Sequence, residues 1–402
     1  MRIAGIIAEY NPFHKGHMLH IEETKAKLKA DFIIVAMSGN FVQRGEPAIF
    51  DKYARAEAAL MCGADMVIEI PALFSSSGAE FFAHSGVKLL SDTGIVEYLS
   101  FGSETGSIDA LKPISEILAN EPENYKKALK KYLEEGLSFP SARMKAVSDC
   151  GFEGEIIKSP NNILGVEYIK AIKRLKSDIK PFTIKRQGNG YNSESLEGSF
   201  VSASGIRKNI SEGGEFESFV PEKAAEIYKR EISLGHGPLF LKDFEDIINF
   251  QERRLGKNGL KAIEDVTEGL ENKIIESPWD IEEKIEFLKS KRYTRTKIQR
   301  MLLHVLLEIE KDFAKAVREN GYIPYIKVLG FRKDAEKLLD EIKRKSKLPL
   351  IVNLREGKKV LEKESLILFE NEIKYDDFYK MPYCDKKMTM SGKDYSRKVL
   401  KI

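Results

Sequence analysis

Three of the six histidines in this 402-residue chain, His14, His17 and His20, stand in one short segment, EYNPFHKGHMLH at positions 9–20. Imidazoles gathered this closely either ligate a metal or donate hydrogen bonds to anionic oxygens. On a helix the spacing i, i+3, i+6 spreads His14 and His20 around the axis, and no H-E-x-x-H pattern accompanies them. Phosphate contact by His14 and His17 is therefore favoured over metal binding, and no metal ligand is expected. His20, a turn further along, either joins them or supports the fold. Gly16 lets a ligand approach the backbone closely, and Lys15 brings a cation to the same place. A second group of this kind is SASGIR at 202–207. Ser204 and Arg207 suit a phosphate, Ser202 is a weaker candidate, and Ser204 also reads as the N-cap of a short helix.

The elements around these residues alternate. Apolar runs at 2–9, 31–39, 66–70, 96–102 and 181–186 are separated by helical patterns at 16–29, 51–62, 77–90 and 162–175. Strand and helix in turn imply right-handed βαβ units and an α/β fold, a Rossmann-like doubly wound parallel sheet. The histidine segment leaves the first strand and opens a helix, which is where such sheets bind ligands and where helix N–H groups attract phosphate. Gly102 ends another strand at the same edge, Arg186 a further one, and the Asn161–Asn162 pair opens a helix between them. One asparagine is expected to cap that helix and the other to reach the ligand. No G-x-x-x-x-G-K-[ST] element occurs.

After about residue 215 the character changes to dense charge at helical spacing, and β character returns at 323–331, 348–354 and 366–370. The expected division is a nucleotide-binding domain at 1–215, a mainly helical region at 216–320 and a small mixed α/β region at 321–402. The 65 Lys+Arg nearly cancel the 62 Asp+Glu, leaving +3, so any RNA binding must come from local clusters. The clearest is 288–300, with Lys289, Lys291, Arg292, Arg295, Lys297 and Arg300 around Tyr293, a pattern that suits phosphate contact plus base stacking as well as a solvated helix face. Lys386, Lys387, Lys393, Arg397 and Lys398 form a weaker one. Three scattered cysteines indicate a reducing compartment, and no apolar stretch approaches the ~18 residues of a membrane span, so a cytoplasmic protein is expected.

The H-x-G-H at 14–17 and the S-x-x-x-I-R at 202–207 resemble signatures of the nucleotidylyltransferase superfamily. Together with MSGNFVQRGEPAIFDKYARAEAAL (37–60), GADMVIEIP (63–71), SFGSE (100–104) and SPNNILGVEYIKAI (159–172), the chain resembles the tRNA(Met) cytidine acetate ligases. The resemblance is specific over the N-terminal half and general beyond it. It implies an enzyme that uses ATP, with Mg²⁺ as its counter-ion and no tightly bound cofactor, to convert acetate to acetyl-adenylate. The acetyl group then passes to N4 of the wobble cytidine in elongator tRNA(Met), and with the resemblance the region 216–320 is expected to contact tRNA through Lys289, Lys291, Arg292, Arg295, Lys297 and Arg300. It implies no cysteine nucleophile and no acetyl-coenzyme A site. It places ATP along Ile7, Ala8, Glu9, Tyr10, Asn11, Pro12, Phe13, His14, Lys15, Gly16, His17, Met18, Leu19 and His20, with Gly102, Asn161 or Asn162, and Arg186.

Lys15, Arg44 and Lys52 are candidates to offset the triphosphate charge, against solvated surface as the alternative. Arg55 either serves the same helix end or pairs with Glu57 or Glu80. Two other functions stay open on the residues alone: a small-molecule adenylyl- or cytidylyltransferase, and a noncatalytic RNA-binding protein with a vestigial nucleotide fold.

Overall fold

A computed structural model describes residues 1–186, 201–389 and 392–402, with the side chains of Met388, Thr389 and Lys393 outside the description. The first half runs β1 (Ile3–Ala8), α1 (Lys15–Leu28), β2 (Phe32–Ser38), a hairpin of β3 (Phe41–Val42) and β4 (Glu46–Pro47), α2 (Lys52–Met61), β5 (Met66–Ile70), α3 (Ala72–Ser75), α4 (Ala79–Asp92) and β6 (Tyr98–Ser103). It continues through α5 (Ile108–Asn120), α6 (Glu123–Glu134), α7 (Phe139–Asp149), α8 (Pro160–Arg174), β7 (Lys180–Lys185) and α9 (Ala203–Ser211).

Helices then dominate: α10 (Glu222–Ser233), α11 (Glu245–Ala262), α12 (Leu270–Glu276), α13 (Ile281–Leu288), α14 (Arg295–Leu307) and α15 (Lys311–Glu319). The chain ends with β8 (Ile326–Phe331), α16 (Lys337–Lys345), β9 (Leu350–Ile351), α17 (Leu354–Val360), α18 (Lys363–Lys380) and β10 (Leu400–Lys401).

The strands form one sheet in the order β10-β8-β5-β2-β1-β6-β7, with β9 beside β8. Strands β5, β2, β1, β6 and β7 are parallel neighbours. Their side chains feed two cores on opposite faces. In β1, Ile3 and Ile7 enter one core while Ala4 and Ile6 enter the other. In β2, Ile34 and Ala36 are divided in the same way from Ile33, Val35 and Met37. Burial on both faces explains the near-continuous apolar runs. From β1 the chain moves through β2 to β5 in one direction, then returns to place β6 on the other side of β1. The winding reverses between β1 and β6, and their carboxyl ends frame the crevice expected at such a reversal.

Residues 321–402 add to this sheet: β8 runs antiparallel to β5, and β10 and β9 flank β8 in parallel. One expectation needs correction. The run 366–370 is not β but the interior of α18, which buries Leu368, Phe369, Glu372, Ile373, Tyr375, Asp376, Tyr379 and Lys380. Burial that returns every three to four residues along such a helix makes a short apolar run indistinguishable from a strand.

Candidate active site at the end of the first strand

The turn after β1 is held by the rest of the protein. Asn11 Oδ1 accepts from the Ile49 N–H at 2.8 Å, and the Phe13 N–H donates to the Tyr228 hydroxyl at 2.9 Å. Arg55, fully buried, donates to the carbonyls of Glu9 (2.5 Å), Phe50 (2.9 Å), Ser38 (3.2 Å) and Gly39. The alternatives of an Arg55 ion pair are thereby corrected: Glu57 pairs with Arg230 and Glu80 with Lys170 and Arg174. Arg55 pins four backbone oxygens around the turn, a role that no local pattern announces.

His14 caps α1. Its Nδ1 accepts from the Gly16 N–H at 3.0 Å, while His17 Nδ1 accepts from the His14 N–H at 3.2 Å, a reciprocal capping box. The two rings lie with centroids 3.7 Å apart. Because Nδ1 accepts in both, each neutral ring carries its proton on Nε2. Burial lowers the His14 pKa to about 3, helped by the Arg186 and Arg207 charges. Burial likewise takes His17 well below the ordinary histidine value, aided by His14, Arg186 and His20. His20 falls to about 4 through burial and Arg186, while its Nε2 lies 3.0 Å from Ser100 Oγ on β6. The segment thus presents neutral donors.

These rings line a cleft at the β1–β6 reversal. Of the residues expected to hold ATP, Ile7, Ala8, Glu9, Tyr10, Asn11, His14, His17, His20, Gly102, Asn161, Arg186, Ser204 and Arg207 line it, and Gly16 and Leu19 line the adjoining hollow. Gly102 brings the β6 end against Arg186, where a Cβ would stand 3.1 Å from Arg186 Cγ. Buried Tyr10 Oη and Asn11 Nδ2 have no hydrogen-bond partner among the described residues. Burial raises the Glu9 carboxyl, opposed by Arg44 and Arg207, and its Oε1 accepts from the Gln43 N–H at 2.8 Å.

Other expected residues are not brought to the cleft. Phe13 is fully buried in the core, Met18 packs against it, and Pro12 lies buried behind the turn. Lys15 is exposed and donates to the Ser218 carbonyl at 2.6 Å. Asn162 serves the loop after β6: its Oδ1 accepts from the N–H groups of Glu104 (3.0 Å) and Thr105 (3.2 Å), and Nδ2 donates to the Ile156 carbonyl. Neither asparagine caps α8, whose N-cap is Ser159. Ser202, not Ser204, caps α9 by accepting from the Gly205 N–H, which leaves Ser204 on the cleft wall. Lys52 is corrected most strongly. It is fully buried beside Glu69 (2.7 Å) and Asp376, out of solvent and not among the residues that line the cleft.

Arg44 does line the cleft, with Gln43, Phe82, Phe101, Leu164 and Tyr168, which sequence reasoning left outside the ATP set. Gln43 and Arg44 ride on the β3–β4 hairpin, too short to register as strands. The apolar members read as core from the sequence because they also pack there: Phe101 and Tyr168 sit 5.5 Å apart.

Of the basic segment, Lys289, Lys291, Arg292 and Arg295 are exposed at least in part, but Lys289 pairs with Glu286 and Arg295 with Glu282 and Glu286. Tyr293 bonds through its hydroxyl to Thr267 at 2.6 Å and packs on the core, with Lys297 and Arg292 over its ring, so it does not present a stacking face. Arg300 turns inward toward the Gln43 carbonyl at 3.4 Å. In the C-terminal cluster, Arg397 lies over the Tyr53 ring at 3.9 Å. Among the described residues no three His, Cys, Asp or Glu side chains gather as a metal site, and no helix is long and apolar enough to cross a membrane.

Residues 1–394 match the HIGH Nucleotidyl Transferase family. A tRNA(Met) cytidine acetate ligase of Thermoanaerobacter sp. (strain X514) is 43% identical over 411 residues, spanning all of both chains. One from Acetivibrio thermocellus is 40% identical over 413 residues, again over both full lengths. Among solved structures, Thermotoga maritima TmcAL in an apo form superposes with a TM-score of 0.95 at 35% identity, and a form bound with alpha-thio ATP superposes at 0.91 and 34%, each covering both chains completely.

Proposed function

The chain belongs to the HIGH nucleotidyl transferase family, and on that footing we propose that it is an ATP-dependent ligase that acetylates N4 of the wobble cytidine in elongator tRNA(Met). The observation that carries the chemistry is the pair of imidazoles at the β1–β6 reversal, each with Nδ1 accepting from a backbone N–H, which leaves a neutral ring its proton on Nε2. In the first step an acetate oxygen bonds to the α-phosphorus of ATP and the bond to the β-phosphate oxygen breaks, releasing diphosphate. Charge builds on the phosphate oxygens as this happens. His14 and His17 donate to them from fixed positions, and no reorganisation is needed at the moment of reaction. The N-terminus of α1 adds the positive end of its dipole, Arg186 adds a full charge, and Arg207, shared with Glu46, adds part of one. Mg²⁺ would arrive with the triphosphate as its counter-ion.

In the second step the cytidine amine bonds to the acetyl carbon, the C–O bond to AMP breaks, and the amine proton passes to solvent or a nearby base. The mixed anhydride is reactive enough that no covalent enzyme intermediate is required. The adenine is assigned to the apolar side of the cleft, beside Phe101, Leu164 and Tyr168, with Gly102 and Asn161 at the ribose. Residues 216–320, with Lys291 and Arg292 at their exposed edge, are assigned to the tRNA side.

The test is incubation with ATP, radiolabelled acetate and total tRNA, followed by digestion and identification of the labelled nucleoside. Label in N4-acetylcytidine, dependent on ATP, is the expected outcome. A nucleotide-linked small molecule, or no transfer to RNA, overturns the reading.

A further inference from the structure

Beside the nucleotide cleft lies a second, broader hollow, and the two share Arg44, Ser204 and Arg207 as a common wall. We propose that this hollow receives the acceptor strand: an unpaired stretch of RNA whose target base reaches the nucleotide cleft past that wall. The inference rests on the ligase reading and locates its second substrate.

The lining has the two characters that single-stranded RNA needs. Ile49, Leu239 and the half-buried ring of Phe240 give an apolar floor, and Lys208, Lys242 and Arg295 stand on the rim, the two lysines exposed. An apolar or aromatic floor takes bases in stacking contact, and rim cations take phosphates. Carboxylates are present too. Glu46 lies 3.3 Å from Arg207, Glu282 is 2.5 Å from Arg295, and Asp243 Oδ2 accepts from the Phe240 N–H at 2.7 Å. Against these three carboxylates the described lining sets five cations, Arg44, Arg207, Lys208, Lys242 and Arg295, so an incoming phosphate meets net positive charge.

The common wall is rigid. The hairpin carrying Arg44 turns at Gly45, whose φ is +82°, and a Cβ there would meet the Arg300 nitrogen at 2.3 Å. Arg300 reaches the Gln43 carbonyl at 3.4 Å, and Gln299 reaches Glu46 at 3.3 Å. Helix α14 begins with Arg295 on the RNA side, and its second turn, through Gln299 and Arg300, braces the hairpin that closes the ATP side. The basic segment 289–300 therefore leads into the hollow at Arg295 rather than forming a site of its own.

The experiment compares the full-length wild type with Lys208→Glu/Lys242→Glu, both positions being exposed. It measures equilibrium binding of an elongator tRNA(Met) transcript across several salt concentrations, alongside acetate-dependent ATP–pyrophosphate exchange without RNA. The double variant is expected to bind the transcript at least tenfold more weakly. Its log–log salt slope should flatten by about 1.4, at roughly 0.7 per lost single-strand phosphate contact. Exchange should be retained, since neither lysine touches the nucleotide cleft. Unchanged affinity and slope with intact exchange overturn the proposal. Absence of exchange and of acetyl transfer in the wild type, with RNA binding still lost in the variant, would instead overturn the ligase reading while leaving the hollow as an RNA site.

Discussion

Two buried polar clusters in this molecule use the same kinds of side chain to opposite ends. At the close of β1, His14 and His17 have one ring nitrogen satisfied by backbone and the other left to donate at a cleft. Between α2, β5, β8 and α18, Lys52, Lys327 and Lys380 meet Glu69, Asp376 and Asp394 in a set of ion pairs that is dry and self-neutralising. Burial raises the Glu69 carboxyl, yet the Lys327 and Lys52 ammoniums outweigh it and hold the group below its usual value. A cation whose charge is already cancelled offers nothing to a triphosphate. The lesson is that a buried polar group is available for chemistry when its internal partners satisfy only part of it.

The comparison can be broken most forcefully at Glu69, which touches Lys52 at 2.7 Å and Lys327 at 2.6 Å. Glu69→Ala leaves buried ammoniums short of a counter-charge and is expected to cost about 3–5 kcal/mol of stability. Urea unfolding measures it, and exchange per folded molecule should survive. A loss of exchange without a loss of stability would move this cluster into the active site.

His17→Ala is expected to do the reverse. Removing one donor of a preorganised anion site lowers turnover by roughly 10²–10³, read as acetate-dependent ATP–pyrophosphate exchange, with the folded state retained. A third and smaller effect sharpens the contrast by pH. The unfolded chain protonates His14 near pH 6.5, whereas the folded site resists protonation down to about pH 3. In that window the unfolded state binds more protons, so stability falls as pH falls, by about 1.4 kcal/mol per unit for each such histidine. His14→Gln should therefore show a shallower loss between pH 7 and pH 5 than the wild type.

How much of this was legible beforehand divides along the same line. The cleft was legible because its residues stand at strand ends and in one short segment, where local pattern and topology agree. Lys52 was not, since its partner Asp376 lies more than three hundred positions away and nothing near DKYARAEAAL announces it. Long reach also hid the antiparallel pairing of β8 with β5, while the Tyr293–Thr267 bond, only 26 positions apart, joins two segments that no shared periodicity links. Asn161 and Asn162 were adjacent and equivalent on paper, and only the path of the loop at Glu104 separates them.

The central claim is that His14 and His17 meet the triphosphate as neutral Nε2–H donors. Nitrogen-15 NMR of histidine-labelled protein near pH 7, with and without a nonhydrolysable ATP analogue and with His14→Gln and His17→Ala for assignment, tests it most directly. The account predicts a bare Nδ1 and a protonated Nε2 on both rings, with both Nε2–H protons moving downfield when the nucleotide binds. Rings protonated at both nitrogens in the free protein, or Nε2–H signals indifferent to the nucleotide, would contradict it.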